Sequence, residues 1–350
     1  MIKPLKKSER MKRGLISRIR SGEFSAEERL APIGDLAKEY GISYVTAHKV
    51  LGELEKEGFL TCRNGVGVFV RRLENQIEIR KLAVPLRLQN NPVFAPFFEE
   101  IAHFASRENI PVMFGASSES EPEFIEEAIA AGCNAMLRFP GPARMEHGIY
   151  ELLRKHSLRT VILNDWWQEG AGEFPCVRSD EGRGITTILE HLYKLGHRKI
   201  ALVQEAVFAE RCELSKAFHR WHHRYGLAVT HDALIYTADF KNKLDLIQHL
   251  VDGGFSAVFF SFDLVALRLI ESAADSGRDL RKMFCIAAFD DIPESASWEL
   301  TTVRHNIPVL VREAFRLLRS PDYDKHEVCV IPGECVFRAS TSRHPEVSSP

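Results

Sequence analysis

From Lys81 onward, short runs rich in β-branched and aromatic residues alternate with longer stretches of helical period, and that rhythm limits the fold more than any single motif. Residues 82–86, 110–114, 135–138 and 160–163 read as strands, with helices at 96–108, 122–131 and 148–155 between them. After Arg178 the pattern restarts with a helix to Leu195, a strand at 199–203 and a helix through Trp221. Strands at 233–236, 257–260 and 284–288 then alternate with helices at 244–252 and 265–276. Parallel strands need crossovers of a dozen or more residues, and helices supply them. The alternation therefore predicts an α/β body with two parallel, doubly wound sheets. Two halves imply two lobes, and ligands of open α/β sheets sit beyond the C-terminal strand ends.

The first 72 residues follow another rule. Residues 11–20 form an amphipathic helix with Leu15, Ile16 and Ile19 on one face and Arg10, Lys12, Arg13, Arg18 and Arg20 around it. A second helix spans 33–40 and stops at Gly41. A third starts after Ser43, a good N-cap, and buries Ala47, Val50, Leu51 and Leu54 at i, i+3, i+4, i+7. Its other face opens with Tyr44, Thr46, His48 and Lys49 and turns acidic at Glu53 and Glu57. A recognition helix presents its N-terminal residues to base edges, so polar donors belong early in it. Next come two β-prone runs, 59–63 and 66–70, joined by Asn64-Gly65, the pair that a type I′ hairpin turn favours. The segment reads as a winged helix-turn-helix for double-stranded operator DNA. Ser43, Tyr44, Thr46, His48 and Lys49 are the candidate contacts on the helix, with Arg63, Asn64, Gly65 and Gly67 on the wing.

Charge agrees with that division. Residues 1–72 carry 15 Lys and Arg against 9 Asp and Glu, net +6, while the remainder carries 31 against 39, net −8. Phosphate neutralisation supplies much of DNA affinity, so a basic head on an acidic body suits the task. Apolar runs fall far short of the roughly 18 residues of a membrane span, and no apolar region follows the basic N-terminus as in a signal peptide. Seven cysteines, at 62, 133, 176, 212, 285, 329 and 335, are scattered without a C-x-x-C, which suggests reduced thiols in the cytoplasm.

The run from Leu30 to Ala37, then Tyr40 to Ser43, 51–60 and 65–70 resembles the GntR-type DNA-binding domain. Three positions depart from the family. Gly34 stands where an arginine follows Leu-Pro-Ser, Tyr44 where Ser-Arg is common, and His48 where an arginine is common. The resemblance thus implies a retained module reading an unusual operator. Tyr44 packing on a neighbouring helix, or Lys49 touching only phosphate, remain alternatives.

In the second half, Ser179 to Gly182, 191–201, Phe289 to Ile292, Leu300 to Val303 and 331–334 resemble the LacI-type effector domain, whose fold is shared with periplasmic sugar-binding proteins. The resemblance implies a head over 1–72, a connector at 73–80, an effector domain over 81–343 and a tail at 344–350. Lobe one would take 81–175 and 302–322, and lobe two 176–301 and 323–343. A GntR-type head on a LacI-type body resembles the arabinose-repressor architecture. That implies a homodimer whose body senses a sugar and whose head then leaves its operator.

Motif by motif, the resemblance places Arg211 on ligand hydroxyls or carboxylates, Asp290 on sugar hydroxyls, and Phe262-Asp263 where Asn-Asp is usual. A guanidinium forms a fixed fork of donors, and a carboxylate accepts paired hydroxyls. Trp166 and Trp167 follow a strand end, where a ring can stack on a sugar. Asp263 and Asp291 read equally as helix caps, and Arg211 as the ion-pair partner of Glu210 or Glu213. Leu214 also replaces the glycine that usually follows that arginine.

Competing chemistry is sparse. His219, His222 and His223 share a helical spacing that suits a metal, yet Arg220 and Arg224 would repel one, so neither metal nor cofactor is expected. No H-E-x-x-H, G-x-S-x-G or P-loop occurs, so no enzyme is expected. The standing alternative is a ligand-independent or protein-interacting regulator with a vestigial body.

Overall fold

The computed structural model describes residues 7–20, 23–25, 27–63, 66–71, 77–86, 92–115, 120–139, 147–164, 173–205, 213–227 and 233–342. The chain divides into two units, one of residues 1–79 with 312–323, the other of residues 80–311 with 324–350.

In the first unit, α1 (Lys7–Arg20), α2 (Ile33–Tyr40) and α3 (Tyr44–Lys56) precede a hairpin of β1 (Leu60–Arg63) and β2 (Gly67–Val70). Gly41 ends α2 in the left-handed conformation at φ 61°, and Ser43 caps α3 by accepting from the Thr46 N–H. Met11, Leu15 and Ile19 from α1 meet Leu36, Ala37, Ala47, Val50, Leu51 and Leu54 in one core, closed by Leu30, Leu60, Val68 and Val70. The acidic end of α3 is neutralised by Lys12, whose ammonium reaches Glu57 at 2.6 Å and Glu53 at 3.3 Å. One feature is absent from the sequence reading. Residues 27–30 run along β2 and bridge it antiparallel at Arg29 and Phe69, through Leu30 N–H to Val68 O, Glu27 N–H to Val70 O and Val70 N–H to Glu28 O, each 2.9 Å. Farther along, the Ile77 N–H donates to Arg319 O at 2.9 Å, and Ile79 is buried; residues 72–76 of the expected connector lie outside the described set.

The second unit opens with β3 (Leu82–Val84), α4 (Ala95–Arg107), β4 (Val112–Phe114), α5 (Glu121–Ala130), β5 (Ala135–Arg138), α6 (His147–Lys155), β6 (Arg159–Leu163) and β7 (Cys176–Ser179). It continues through α7 (Glu181–Lys194), β8 (Ile200–Gln204), α8 (Glu213–Arg224), β9 (Leu234–Tyr236), α9 (Lys243–Asp252) and β10 (Ala257–Phe260). Then come α10 (Asp263–Asp275), α11 (Leu280–Met283), β11 (Cys285–Ala287), α12 (Pro293–Ser297) and β12 (Thr302–Arg304). Helix α13 (Ile307–Arg319), whose residues divide between the two units, precedes β13 (Val328–Ile331) and β14 (Glu334–Val336).

Two parallel sheets result, ordered β13-β7-β6-β5-β3-β4 and β11-β10-β8-β9, with a small antiparallel ribbon of β12 and β14. The α/β reading with two doubly wound sheets is thereby met. The lobe boundaries differ from expectation. β7 and β13 pair with each other and β7 with β6, so 176–179 and 328–331 belong to the first sheet although both stretches were expected in lobe two. Residues 312–323 group with the first unit, not with lobe one. A strand's sheet is decided by its hydrogen-bonding neighbour, which its own residues do not encode.

Leu51 is 1% exposed at the centre of the first unit's core. Leu51→Ala leaves a cavity there and is expected to destabilise that unit by about 2–5 kcal/mol. Urea unfolding of the full chain, followed by far-ultraviolet dichroism, should show an earlier transition than the parent's.

Candidate functional site

At the C-terminal ends of the parallel strands, polar groups are buried without full satisfaction. Asn164, directly after β6, is 1% exposed; its Oδ1 accepts from the Ser179 N–H at 3.1 Å, while its Nδ2 has no partner among the described residues. Ser261 follows β10 and its Oγ has none. Asp290 lies beyond β11, and its Oδ2 has none either. Buried polar atoms are nearly always paired, so each exception needs a reason. Of the other buried atoms without a hydrogen bond among the described residues, those on Trp221 and Arg312 lie within helices. Asn164, Ser261 and Asp290 instead lie at strand ends.

A chain of contacts links these ends. Ser179 Oγ and His305 Nδ1 are 2.6 Å apart, and His305 Nε2 and Asp290 Oδ1 are 3.1 Å apart. The contacts run from the end of β7 in the first sheet, through His305 after β12, to the segment after β11 in the second. Phe97 of α4 and Phe289 flank the imidazole with centroids at 5.7 and 5.3 Å. Phe139 receives edge contacts from Phe94, Phe97 and Phe98 at 5.1 to 5.6 Å, so an aromatic wall adjoins the first sheet's strand ends.

Asp263 braces this assembly. Its Oδ2 accepts from the Ile292 N–H at 3.2 Å and from Ser295 Oγ at 2.5 Å, and its Oδ1 from Thr302 Oγ1 at 2.6 Å. It opens α10, yet its carboxyl caps nothing in that helix. Burial, with Asp290 nearby, pushes its pKa up to about 8. Burial likewise holds Asp290 well above the usual carboxylate range and pushes His305 down to about 4. Both shifts run against charge, so burial disfavours an ion pair at the contact between Asp290 and His305. Asp290 also has φ 121° and Asp291 φ 56°. Such backbone is costly for a residue with a Cβ and persists where the surroundings enforce it. The turn sends the neighbours apart, with Asp291 held by Arg304 and Arg338, each at 2.6 Å.

Of the effector residues expected from sequence, Asp263 and Asp290 come together and Phe262 is half-buried beside them in the chain; Trp166 and Arg211 lie outside the described residues. Asn164, Ser179, Ser261 and His305 were missed. Single polar residues ending a strand carry no spacing signal, and only their convergence marks them. The three histidines of α8 do not converge: His222 is buried, bonds Phe218 O at 2.9 Å and stacks on Phe218, while His219 and His223 are exposed.

In the first unit, Tyr44 is 57% exposed and Val45 77%, so the start of α3 stands clear of the unit's core. The Tyr44 ring lies 6.4 Å from that of His48, which is exposed along with Lys49. The Ser43 and Thr46 hydroxyls bond each other at 2.8 Å and are occupied in capping the helix. Arg63 pairs with Glu27 and lies 4.4 Å over Phe69; Asn64 and Gly65 fall outside the described residues, and Gly67 sits at the start of β2.

Known proteins add three findings. Residues 7–70 match the model of bacterial regulatory proteins of the gntR family, and residues 189–341 that of the periplasmic binding protein-like domain. The chain is 26% identical over 321 residues to an arabinose metabolism transcriptional repressor of Geobacillus stearothermophilus, covering 87% of each chain. It is 26% identical over 348 residues to the HTH-type transcriptional regulator MalR of Streptomyces coelicolor, covering 89% of this chain and 97% of that one. Its fold resembles a LacI family transcriptional regulator from Enterococcus faecium solved with bound ribose, at TM-score 0.59 and 22% identity, over 74% of this chain and 97% of that chain.

The two acids keep protons in the folded chain where the unfolded chain has lost them, so stability falls as pH rises toward about 8. His305 acts oppositely, but only below its ordinary value of 6.5. Between pH 6.5 and about 8 His305 no longer opposes the acids, and the thermal midpoint is expected to fall, Asp263 alone accounting for a loss of up to roughly 2 kcal/mol. Asp263→Asn copies the shape of the protonated acid and should flatten that fall. Parallel midpoint curves for parent and variant would show that Asp263 is ionised.

Proposed function

Because the chain joins a gntR-family head to a periplasmic-binding-protein-like body of the LacI type, we propose that it is a transcriptional repressor whose operator affinity is switched by a sugar. The observation that carries the ligand half is the set of unpaired buried atoms on Asn164, Ser261 and Asp290 at the strand ends of both sheets. A polyol offers hydroxyls that both donate and accept, which is what an amide, a hydroxyl and a carboxyl together require. Ligand sites of this kind place a few polar groups in a mostly apolar wall, and here the wall is phenylalanine. In this reading Asp290 accepts or shares hydroxyl hydrogens, Asn164 donates, and Phe262 and Trp166 offer ring faces. Arg211 adds a fork of donors, and Asp263 holds the Asp290 turn in place.

On DNA, α3 enters the major groove with Tyr44, His48 and Lys49 foremost. Ser43 and Thr46 hold the helix start, and Arg63, Asn64, Gly65 and Gly67 set the wing against the backbone. A cytoplasmic homodimer matches two heads to two half-sites, and sugar binding changes their spacing. The ribose-bound fold relative and the two repressor and regulator relatives support this reading.

The test begins by selecting a duplex from a random-sequence library with the full-length protein. Binding to it is then measured by fluorescence anisotropy with pentoses, hexoses and disaccharides added in turn. At least one sugar should weaken DNA binding by about 5- to 150-fold, the usual range of allosteric coupling, and raise the thermal midpoint. Asp290→Ala should abolish that response and leave the sugar-free DNA affinity unchanged. Unaltered DNA binding and no thermal shift across the panel would overturn the ligand half in favour of a ligand-independent regulator.

A further inference from the structure

The segment at 27–30, bridged to β2, changes what the wing presents. Arg29 bridges to Phe69, Arg63 pairs with Gly67, and Thr61 pairs with Phe69. Paired residues share a face of a sheet, and neighbours along a strand alternate between faces. Leu30, Leu60, Val68 and Val70 point to the core, so Arg29, Arg63, Gly67 and Phe69 form the opposite, outer face.

Gly67 makes the arrangement possible. A Cβ built there would stand 2.7 Å from Arg29 Nε and 3.4 Å from its Cζ. The Arg29 side chain therefore lies directly across the glycine, where any larger residue would displace it. The same glycine has φ 141°, a conformation side-chain-bearing residues rarely adopt. From the other side, Arg63 lies over the Phe69 ring and is neutralised by Glu27. Arg29 is exposed, and among the described residues its guanidinium has no hydrogen bond or ion pair. The wing thus positions two guanidinium groups about one short stretch of strand, one of them with its charge unanswered.

We propose that Arg29 and Arg63 form an arginine pair on the outer face of the wing that grips the phosphates of duplex DNA, with Glu27 occupying Arg63 in the free protein. The proposal rests on the head's being a DNA-binding domain and adds to it a residue outside both the recognition helix and the hairpin. Duplex phosphates are the occupant whose charge complements this face, and a guanidinium suits phosphate oxygens geometrically. It also answers the loss at Gly34: a cation missing at the start of α2 is supplied from the segment that precedes it.

Phosphate contacts need no operator, so the probe is a duplex of about 30 base pairs of unrelated sequence, bound by the full-length protein between roughly 50 and 200 mM KCl. Each phosphate contact contributes about 0.9 to the slope of log affinity against log salt. Arg29→Ala should weaken binding several-fold and make that slope shallower by about 1. Gly67→Ala, which displaces Arg29, should reproduce part of the loss, and Arg29→Lys should restore the slope. Glu27→Gln, which frees Arg63, should tighten binding. Thermal melting reports on folding, and the exposed Arg29→Gln replaces Arg29→Ala if the latter melts early. An Arg29 variant that folds and binds with the parent's slope overturns the proposal, as does weaker binding at unchanged slope, which would assign Arg29 to packing. Parent protein that binds no duplex at any salt would overturn the DNA-binding reading as well, and so is told apart from failure of the arginine pair alone.

Discussion

A carboxyl group buried against an imidazole, with no described cation facing either, sets the inner surface of the body. Asp290 and His305 meet at 3.1 Å between Phe97 and Phe289, and burial disfavours charge on both. An ion pair in such surroundings must offset two desolvation costs, whereas a neutral hydrogen bond avoids them. Burial thus favours a neutral contact over an ion pair where the strand ends of the two sheets approach. Asp263 then works as a brace: three donors fix its oxygens and so fix where α10, α12 and β12 begin relative to one another.

This explains the strained backbone at Asp290 and Asp291. An extended continuation of β11 would place one acid on each side of the sheet. Positive φ at both positions instead turns Asp290 inward to His305 and leaves Asp291 with Arg304 and Arg338. The strain is held by contacts on both sides of the turn. One remaining oxygen of Asp290 has no partner among the described residues, so the turn does not consume the whole carboxyl group.

Legibility in the sequence divided along physical lines. Helices α2 and α3 were readable to the residue or nearly so because apolar spacing, Gly41 and Ser43 are local signals. The hairpin was readable from Asn64-Gly65. The bridge from 27–30 was not, since Glu-Glu-Arg-Leu has low β-propensity and pairs with β2 only because Val68 and Val70 offer it partners. β7 and β13 were misplaced for a related reason: a strand written as Cys-Val-Arg-Ser does not say which sheet it joins. In the candidate site, Asp263 and Asp290 were legible by resemblance. Asn164, Ser179, Ser261 and His305 were not, because they are far apart in sequence and ordinary one by one.

Alternation of faces is what lets each site be both built and available. Along 29–30 the chain places Leu30 in the core and Arg29 outside it, so the packing that orders the wing also aims the cation. At the body's strand ends a turn breaks the rule: Asp290 leaves the sheet's alternation while Asp291 anchors the turn on Arg304 and Arg338. The head can therefore exchange arginines at Gly34, Tyr44 and His48 for other groups without losing its fold, because the core-facing half of each element is unaffected. The body holds its buried acids for the complementary reason: burial raises the pKa of each, and each has its position set by groups on a different element.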